Sequence, residues 1–173
     1  MARRTKADQA FVAYVVARRR QLLATAYLLC GDWHRAEDLV QTTLTKLYQA
    51  WPGVRCKGTE DAYVRQVLIR TGIDARRRAW NRERTVDRLP DLPMAESRDV
   101  EQREEIVTAL ATLPPRQRAT IVLRFWLDLT VQDTAEELGV SPGTVKSQTA
   151  KALASLRDRL VTDESTVWGE SHV

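Results

Sequence analysis

Apolar residues return at every third or fourth position along most of this chain, with polar or charged residues between them. This period is typical of amphipathic α-helices. Six segments carry it: residues 8–30, 32–53, 60–84, 101–113, 116–127 and 129–160. The pattern therefore predicts an all-α protein.

The apolar stripes also predict which side chains form the hydrophobic core. Gly31 is expected to end the first helix, and Pro52 with Gly53 the second, because glycine and proline interrupt a regular helix. Residues expected to be buried include Val12, Val16, Leu39, Val40, Leu47, Trp51, Val64, Leu68, Ile106, Val107, Leu110, Leu113, Trp126, Val145, Ala152 and Leu153.

The helical pattern is interrupted once, over residues 85–100. This stretch has two prolines, scattered acids and no apolar stripe, which is typical of a linker. We expect two small helical domains, residues 8–84 and 101–161, joined by this flexible linker. Residues 162–173 show no periodicity and are expected to form a tail.

The second domain is expected to end in a helix–turn–helix. Thr130 can cap a short helix, with Asp133 three residues later as in a capping box. Gly139 ends that helix, because glycine adopts the left-handed conformation easily. Ser141 can cap the next helix, with Pro142 in its first turn.

One face of that last helix carries short, polar or cationic side chains near its N-terminal end, and Gly143 leaves room for close backbone approach. A helix that enters the major groove of DNA needs such residues there. The alternative is an ordinary helical hairpin with a solvated polar face. The polar side chains are Thr144, Lys146, Ser147, Gln148 and Lys151.

Residues 60–84 form the most basic part of the chain, and Trp80 lies within it. Guanidinium groups bind phosphates and an aromatic ring can stack on an exposed base, so this segment suits single-stranded or distorted nucleic acid. The alternative is a solvated basic helix end with Trp80 in the core. The arginines are Arg65, Arg70, Arg76, Arg77, Arg78, Arg82 and Arg84.

The second helix has an acidic-to-neutral polar face opposite its apolar stripe. On pattern alone this face is interpreted as solvated surface, and the functional alternative is a docking face for a basic partner. Its side chains are Glu37, Asp38, Gln41, Thr42 and Thr45.

Composition narrows the class of protein. The chain has 173 residues, 43% of them hydrophobic, and a net charge of +4. Cys30 and Cys56 are too few for a disulfide framework, and Cys30 with His34 lacks the further ligands of a metal site. No acid–base, nucleophile or phosphate-loop arrangement appears, so we expect no enzyme, no cofactor and no metal. No segment is typical of a signal peptide or a membrane span, so a cytoplasmic protein is expected.

Three segments in this order resemble a bacterial RNA polymerase sigma factor of the small extracytoplasmic-function type, in its actinobacterial subgroup. They are AEDLVQTTLTKLYQAW, the arginine-rich segment, and LPPRQRATIVLRFWLDLTVQDTAEELGVSPGTVKSQTAKALASLR. The likeness covers roughly residues 8–161.

The resemblance implies the partners and their sites. Core RNA polymerase, through its β′ and β subunits, would be bound by Asp38, Gln41, Thr42 and Thr45. The promoter −10 element would be recognised and melted by Arg65, Arg70, Thr71, Asp74, Arg76, Arg77, Arg78 and Trp80. The −35 duplex would be read by Arg116, Arg118, Ser141, Thr144, Lys146, Ser147, Gln148 and Lys151. A cognate anti-sigma factor is also implied, and the linker would thread the polymerase cleft.

The chain departs from the family pattern at a few positions. Arg70 stands where the family often has Asn, and Gln148 and Leu153 stand where Arg is frequent. These changes put the base-capture pocket and the phosphate contacts of the last helix in doubt. The alternative function is a stand-alone helix–turn–helix repressor or activator, and an enzyme with a DNA-binding tail is the weakest of the three.

Overall fold

The computed structural model describes the backbone of residues 2–83 and 98–167, and the side chains of residues 6–79 and 105–159. These residues form helices and turns without a strand, which confirms the all-α prediction. The elements are α1 (Ala2–Cys30), α2 (Trp33–Cys56), α3 (Glu60–Glu83), α4 (Arg98–Ala111), α5 (Pro115–Ile121), a π-helical segment (Val122–Trp126), α6 (Val131–Leu138) and α7 (Pro142–Val167).

The chain divides into two compact units, Met1–Ala79 and Trp80–Val173. Two small helical domains are therefore present, as expected. Their boundaries at residues 8–84 and 101–161 stay a prediction, and most of the linker lies outside the described residues. At the other end, α7 extends to Val167, beyond the predicted start of the tail.

In the first unit α1 and α2 form a helical hairpin around Gly31, the residue expected to end α1. Asp32 caps α2, and its carboxylate accepts a hydrogen bond from the Arg35 N–H at 2.8 Å. α3 closes the unit at Gly72, where an added Cβ would lie 3.2 Å from Leu39 Cδ2 and 3.3 Å from Leu29 Cδ1. Because residue 72 is glycine, α3 can lie close to both α1 and α2.

The predicted end of α2 is wrong. The helix passes through Pro52 and Gly53 and ends at Cys56. Proline has a helix-compatible φ, but it removes one main-chain hydrogen bond and its ring crowds the carbonyl four residues back. The neighbouring Trp51 is buried and its indole N–H donates to the Ala7 carbonyl oxygen, so packing against α1 holds this turn helical in spite of that cost.

The helix–turn–helix of the second unit forms as predicted. Thr130 and Asp133 make a complete capping box at the start of α6, and Gly139 follows α6 at φ 62°. The Ser141 hydroxyl accepts a hydrogen bond from the Thr144 N–H at 3.1 Å. The apolar core beneath is formed by Val107, Leu110, Leu113, Ala119, Ile121, Val122, Leu123, Ala135, Val145 and Ala152.

Several expected core residues are exposed instead. Each helix buries only one narrow face in the core of its unit. Apolar residues at the edge of that face therefore reach solvent. Trp126 has a further reason, because the π-helical segment adds a residue to the turn and shifts the following side chain off the core face. The exposed residues are Val12, Val16, Ile106, Trp126 and Leu153.

Candidate protein- and nucleic-acid-binding surfaces

The predicted docking residues share one exposed face of α2. Asp38, Gln41, Thr42 and Thr45 follow one another at helical spacing and are all exposed. The Thr45 hydroxyl donates to the Gln41 carbonyl oxygen at 2.9 Å, so that side chain lies along the helix. We call these four residues the docking face. It is acidic at its N-terminal end and neutral beyond, which suits a partner surface with localised positive charge.

An aromatic cluster holds α2 against the start of α1. The Phe11 ring centroid lies 5.0 Å from that of Tyr48 and 5.2 Å from that of Trp51. The Tyr48 hydroxyl donates to Asp8 at 3.0 Å, and Trp51 Nε1 donates to the Ala7 carbonyl oxygen at 3.1 Å. Edge-to-face rings with satisfied polar atoms give a rigid contact. The aromatic cluster therefore fixes the position of α2, the helix that carries the docking face.

The beginning of α3 is held to α1 through Asp61. This carboxylate accepts a hydrogen bond from the Tyr14 hydroxyl at 2.8 Å. It also accepts two from Arg18, from Nε at 3.1 Å and from Nη2 at 2.6 Å. Partial burial, and then the hydrogen bond to Asp61, raise the pKa of Tyr14 above its usual value. The phenol is therefore protonated at neutral pH and can donate to the carboxylate.

The structure separates the residues predicted to contact the −10 element into two groups. Arg70, Asp74 and Arg77 lie on one exposed face of α3, which we call the arginine face. Arg65 and Arg76 are half-buried on another side of the helix. Arg77 and Asp74 approach to 3.8 Å, so part of the positive charge on the arginine face is balanced.

Three more residues were predicted to contact the −10 element, and the structure describes the side chains of two of them. Arg78 is exposed beside the arginine face, and Thr71 is half-buried at its edge. The side chain of Trp80 lies outside the described residues, so its predicted stacking on a base stays a prediction.

Lys46 joins the surface of α3 although sequence reasoning did not name it. Its exposed ammonium group donates to the Thr71 hydroxyl at 3.2 Å, next to Arg70. An ammonium has three donors, and the contact with Thr71 uses one of them. No local signal could have identified Lys46, because the two residues lie on different helices and 25 positions apart.

The exposed part of α7 begins directly after the turn of the helix–turn–helix. Lys146, Ser147 and Lys151 are exposed, and Ala150 lies exposed among them. We call these four residues the recognition face. Sequence reasoning missed Ala150, although its spacing from Lys146 and Ser147 places it on the same face. Two lysines flanking small side chains allow close approach to a polyanion.

The hydroxyl groups at the start of α7 are engaged with the helix itself. Ser141 and Thr144 have their side-chain oxygens 2.9 Å apart, and Ser147 donates to the Thr144 carbonyl oxygen at 3.0 Å. Ser141 is exposed and Thr144 is half-buried. These residues shape the N-terminus of α7. Arg116 on α5 is exposed, and its contact with the −35 duplex stays a prediction.

Of the residues predicted to read the −35 duplex, one is buried and another is half-buried. Arg118 is only 1% exposed, so the prediction that it contacts DNA is wrong. Its place on α5, between the buried Leu113 and Ala119, turns the side chain into the core. Gln148 is half-buried, and its Oε1 accepts a hydrogen bond from the Thr120 hydroxyl at 2.9 Å.

Metal-binding clusters and membrane-spanning helices are absent from the described residues. Among the residues with described side chains, no cluster of His, Cys, Asp and Glu could hold a metal ion. Each described helix is too short or too polar to serve as a transmembrane span.

Family models match both parts of the chain. The Sigma-70 region 2 model matches residues 14–82, and the Sigma-70 region 4 model matches residues 103–156. The first match contains the docking face and the arginine face, and the second contains α6 and the recognition face of α7.

Individual proteins give the same result. An RNA polymerase sigma-E factor of Streptomyces coelicolor is 38% identical over 152 residues, covering 87% of this chain and 86% of that protein. The ECF RNA polymerase sigma factor SigG of Mycobacterium tuberculosis is 31% identical, covering 85% of this chain and 48% of that protein. The sigma factor RpoE of Bartonella quintana, solved in complex with the anti-sigma factor NepR, matches with a TM-score of 0.69 at 24% identity. That match covers 90% of this chain and 99% of RpoE, and it shows a shared fold.

The region 2 and region 4 matches in this order, and the identity to whole sigma factors over most of the chain, lead to one assignment: the chain belongs to the RNA polymerase sigma factors of the extracytoplasmic-function type.

Proposed function

We propose that this protein binds core RNA polymerase through the docking face of α2 and directs it to promoters through two DNA-binding surfaces. The arginine face of α3, with Lys46, binds the −10 element and helps to melt it. The recognition face of α7 binds the −35 element as duplex. The protein contributes specificity in the cytoplasm and no bond-forming chemistry, because the polymerase supplies the catalytic site.

The recognition face is the observation that carries this proposal. Lys146, Ser147 and Lys151 are exposed on α7, which starts at Pro142 directly after its cap residue Ser141. A helix–turn–helix places its second helix in the major groove with such residues toward the DNA. The basic arginine face on the other unit adds a surface suited to an opened strand.

Run-off transcription from a genomic promoter pool tests the proposal. Core polymerase is assayed with and without the protein. Discrete start sites that depend on the protein support it, and they give both promoter elements. The absence of such starts, together with tight salt-sensitive binding to a palindromic duplex by the protein alone, would favour a repressor instead.

An anti-sigma factor is proposed as a further partner. The B. quintana sigma factor was solved with one. Co-purification of the protein with a binding partner that suppresses the run-off activity would support this, and full activity in the presence of all co-purifying proteins would contradict it.

A further inference from the structure

A stacked pair of aromatic rings lies at the corner between α1 and α2. The rings of Tyr27 and Trp33 are nearly parallel, with centroids 4.0 Å apart and an interplanar angle of 9°. Tyr27 is half-buried, whereas Trp33 is 50% exposed. Because the stack covers one face of the indole, the exposed half of this side chain includes the opposite face.

The backbone on both sides of the stack is held by hydrogen bonds. The Gly31 N–H donates to the Tyr27 carbonyl oxygen at 2.8 Å, which closes the last turn of α1. Trp33 is the first residue of α2, and the preceding Asp32 caps that helix through the Arg35 N–H. A large side chain that is already ordered loses little conformational entropy when a partner covers it.

Trp33 begins a row of side chains that runs into the docking face. Trp33, Glu37 and Gln41 follow one another four positions apart, and neighbours at this spacing have Cβ atoms about 6 Å apart on a helix surface. Glu37 is exposed, and Gln41 belongs to the docking face. The docking face itself has only short or polar side chains, whereas tryptophan, tyrosine and arginine commonly dominate the binding energy of protein interfaces.

The charges beside the indole favour a cationic group. Glu37 and Asp38 are both exposed, one helical turn beyond Trp33. Arg35 comes two positions after Trp33, about 200° around the helix, so it lies on the other side. An open indole face attracts an ammonium or guanidinium group, and the planar guanidinium can also lie flat against the ring.

We propose that Trp33 is an anchor for core RNA polymerase. Its open face stacks on a cationic side chain of the polymerase, with arginine the best fit, and Glu37 binds the same cation. The contact surface on α2 thus extends from the docking face to the first residue of the helix. This inference rests on the proposed function, because it requires the docking face to bind core polymerase.

Equilibrium binding of the full-length protein to core polymerase, followed by the fluorescence anisotropy of a label at its N-terminus, tests the proposal. Trp33→Leu keeps an apolar side chain and removes the aromatic face, so the Kd should rise about tenfold. Trp33→Phe keeps a smaller aromatic face, and its Kd should rise only about threefold.

The shared cation makes a second prediction. Glu37→Gln should raise the Kd about fivefold in the wild-type background, because it removes one of the two groups that bind the cation. In the Trp33→Leu background the same change should have a much smaller effect, since residues that act on one partner group are not additive.

Two variants control for general effects. Val16→Ala removes apolar surface from a side chain of α1 that is 75% exposed in the same unit, and it should bind as the wild type does. Glu105→Gln removes an exposed carboxylate from α4 and should also bind normally. Thermal melting of each variant separates lost binding from lost folding.

Several results would overturn the proposal. They are a wild-type Kd for Trp33→Leu, equal loss in Trp33→Phe and Trp33→Leu, and additive effects of Trp33→Leu and Glu37→Gln. Should Trp33→Leu fail to fold, Glu37→Gln decides, and a wild-type Kd for that variant refutes the shared cation. If Asp38→Arg also binds core polymerase normally, the proposed docking face fails. Loss of binding in Asp38→Arg without any loss in Trp33→Leu refutes this inference alone.

Discussion

Gly143 lies in the first turn of α7 with space around it. A Cβ added there would meet only the Ser141 hydroxyl oxygen, at 3.8 Å. The fold therefore does not require glycine at this position, and alanine is the better helix former by about 0.5–1 kcal/mol. The free space is explained if the backbone of α7 lies against DNA.

Gly143→Ala should therefore leave the protein as stable as the wild type, or slightly more stable, and weaken −35 recognition. Thermal melting and run-off transcription measure the two effects. Gly53→Ala on α2, where an added Cβ would have no neighbour within 4 Å, is the matched control. Full transcription from the Gly143→Ala protein would mean that the start of α7 does not approach the DNA.

Lys146 is exposed on the recognition face and is expected to contact a phosphate. Lys146→Ala should weaken binding to the promoter and reduce the slope of log K against log salt by about one, with the base preference unchanged. Binding of holoenzyme to labelled promoter at a series of salt concentrations measures this. Lys57→Ala, an exposed lysine in the turn after α2, should leave the slope as it is. A slope unchanged in Lys146→Ala would contradict the contact.

At the scale of the element, the docking face of α2 makes a prediction about assembly. Asp38→Arg reverses one exposed charge without touching the core, so stability should change by no more than about 0.5 kcal/mol. Binding to core polymerase should be lost, because two positive surfaces would meet. Size-exclusion chromatography of protein and core enzyme detects assembly. Glu105→Arg changes the net charge equally on exposed α4 surface and should assemble. Normal assembly of Asp38→Arg would refute the docking face.

The contact between α1 and α3 makes a prediction about pH. Folding raises the pKa of Tyr14 above its usual value of 10.0, so the folded chain keeps a proton that the unfolded chain releases. The resulting stabilisation is complete below pH 10 and declines as the pH rises above it. Tyr14→Phe should cost about 1 kcal/mol at pH 8 through the lost hydrogen bond. The difference from wild type should shrink at pH 11.

Urea unfolding at the two pH values measures this difference. Tyr48→Phe removes a hydroxyl that donates to Asp8 in the same unit, and it controls for the loss of a tyrosine. Parallel stability curves for wild type and Tyr14→Phe across this range would contradict the prediction.

Elements whose signals are local could be predicted from the sequence. The capping box of Thr130 and Asp133, the left-handed Gly139 and the Ser141 cap all depend on residues within three or four positions. The predicted end of α2 at Pro52 was wrong, because the packing of Trp51 against α1 outweighs the local tendency of proline to end a helix. Ile106 shows a second limit, since an apolar residue at the edge of a stripe becomes buried only where a neighbouring helix covers it.

The contacts that define the candidate site depended on packing between distant segments. Arg118 lies in a segment rich in polar residues, and only the fold shows that it is enclosed. Lys46 reaches Thr71, and Thr120 reaches Gln148, across 25 and 28 positions. A periodic pattern identifies the face of a helix but not the helix that lies opposite. The docking face could be named from the sequence because all four residues lie on one helix.

At the scale of the whole molecule, the proposed DNA contacts are divided between two units. Arg77 lies in the first unit and Lys146 in the second. Mutations without shared partners usually add within about 0.5 kcal/mol. The double variant Arg77→Ala with Lys146→Ala should therefore weaken promoter binding by the sum of the two single effects, measured by competition at fixed salt. A coupling energy above about 1 kcal/mol would show that the two surfaces do not act independently.

The π-helical segment of the second unit has a consequence for comparing relatives. The Leu127 N–H donates to the Val122 carbonyl oxygen at 3.0 Å, five residues back, so this turn holds one residue more than an α-helical turn. A homologue lacking a single residue here could continue as plain α-helix and still begin α6 in register. An alignment that moves the gap into the following loop would instead pair Phe125 and Trp126 with the wrong positions. In this segment a one-residue deletion is a change of helical pitch and not a shortened loop.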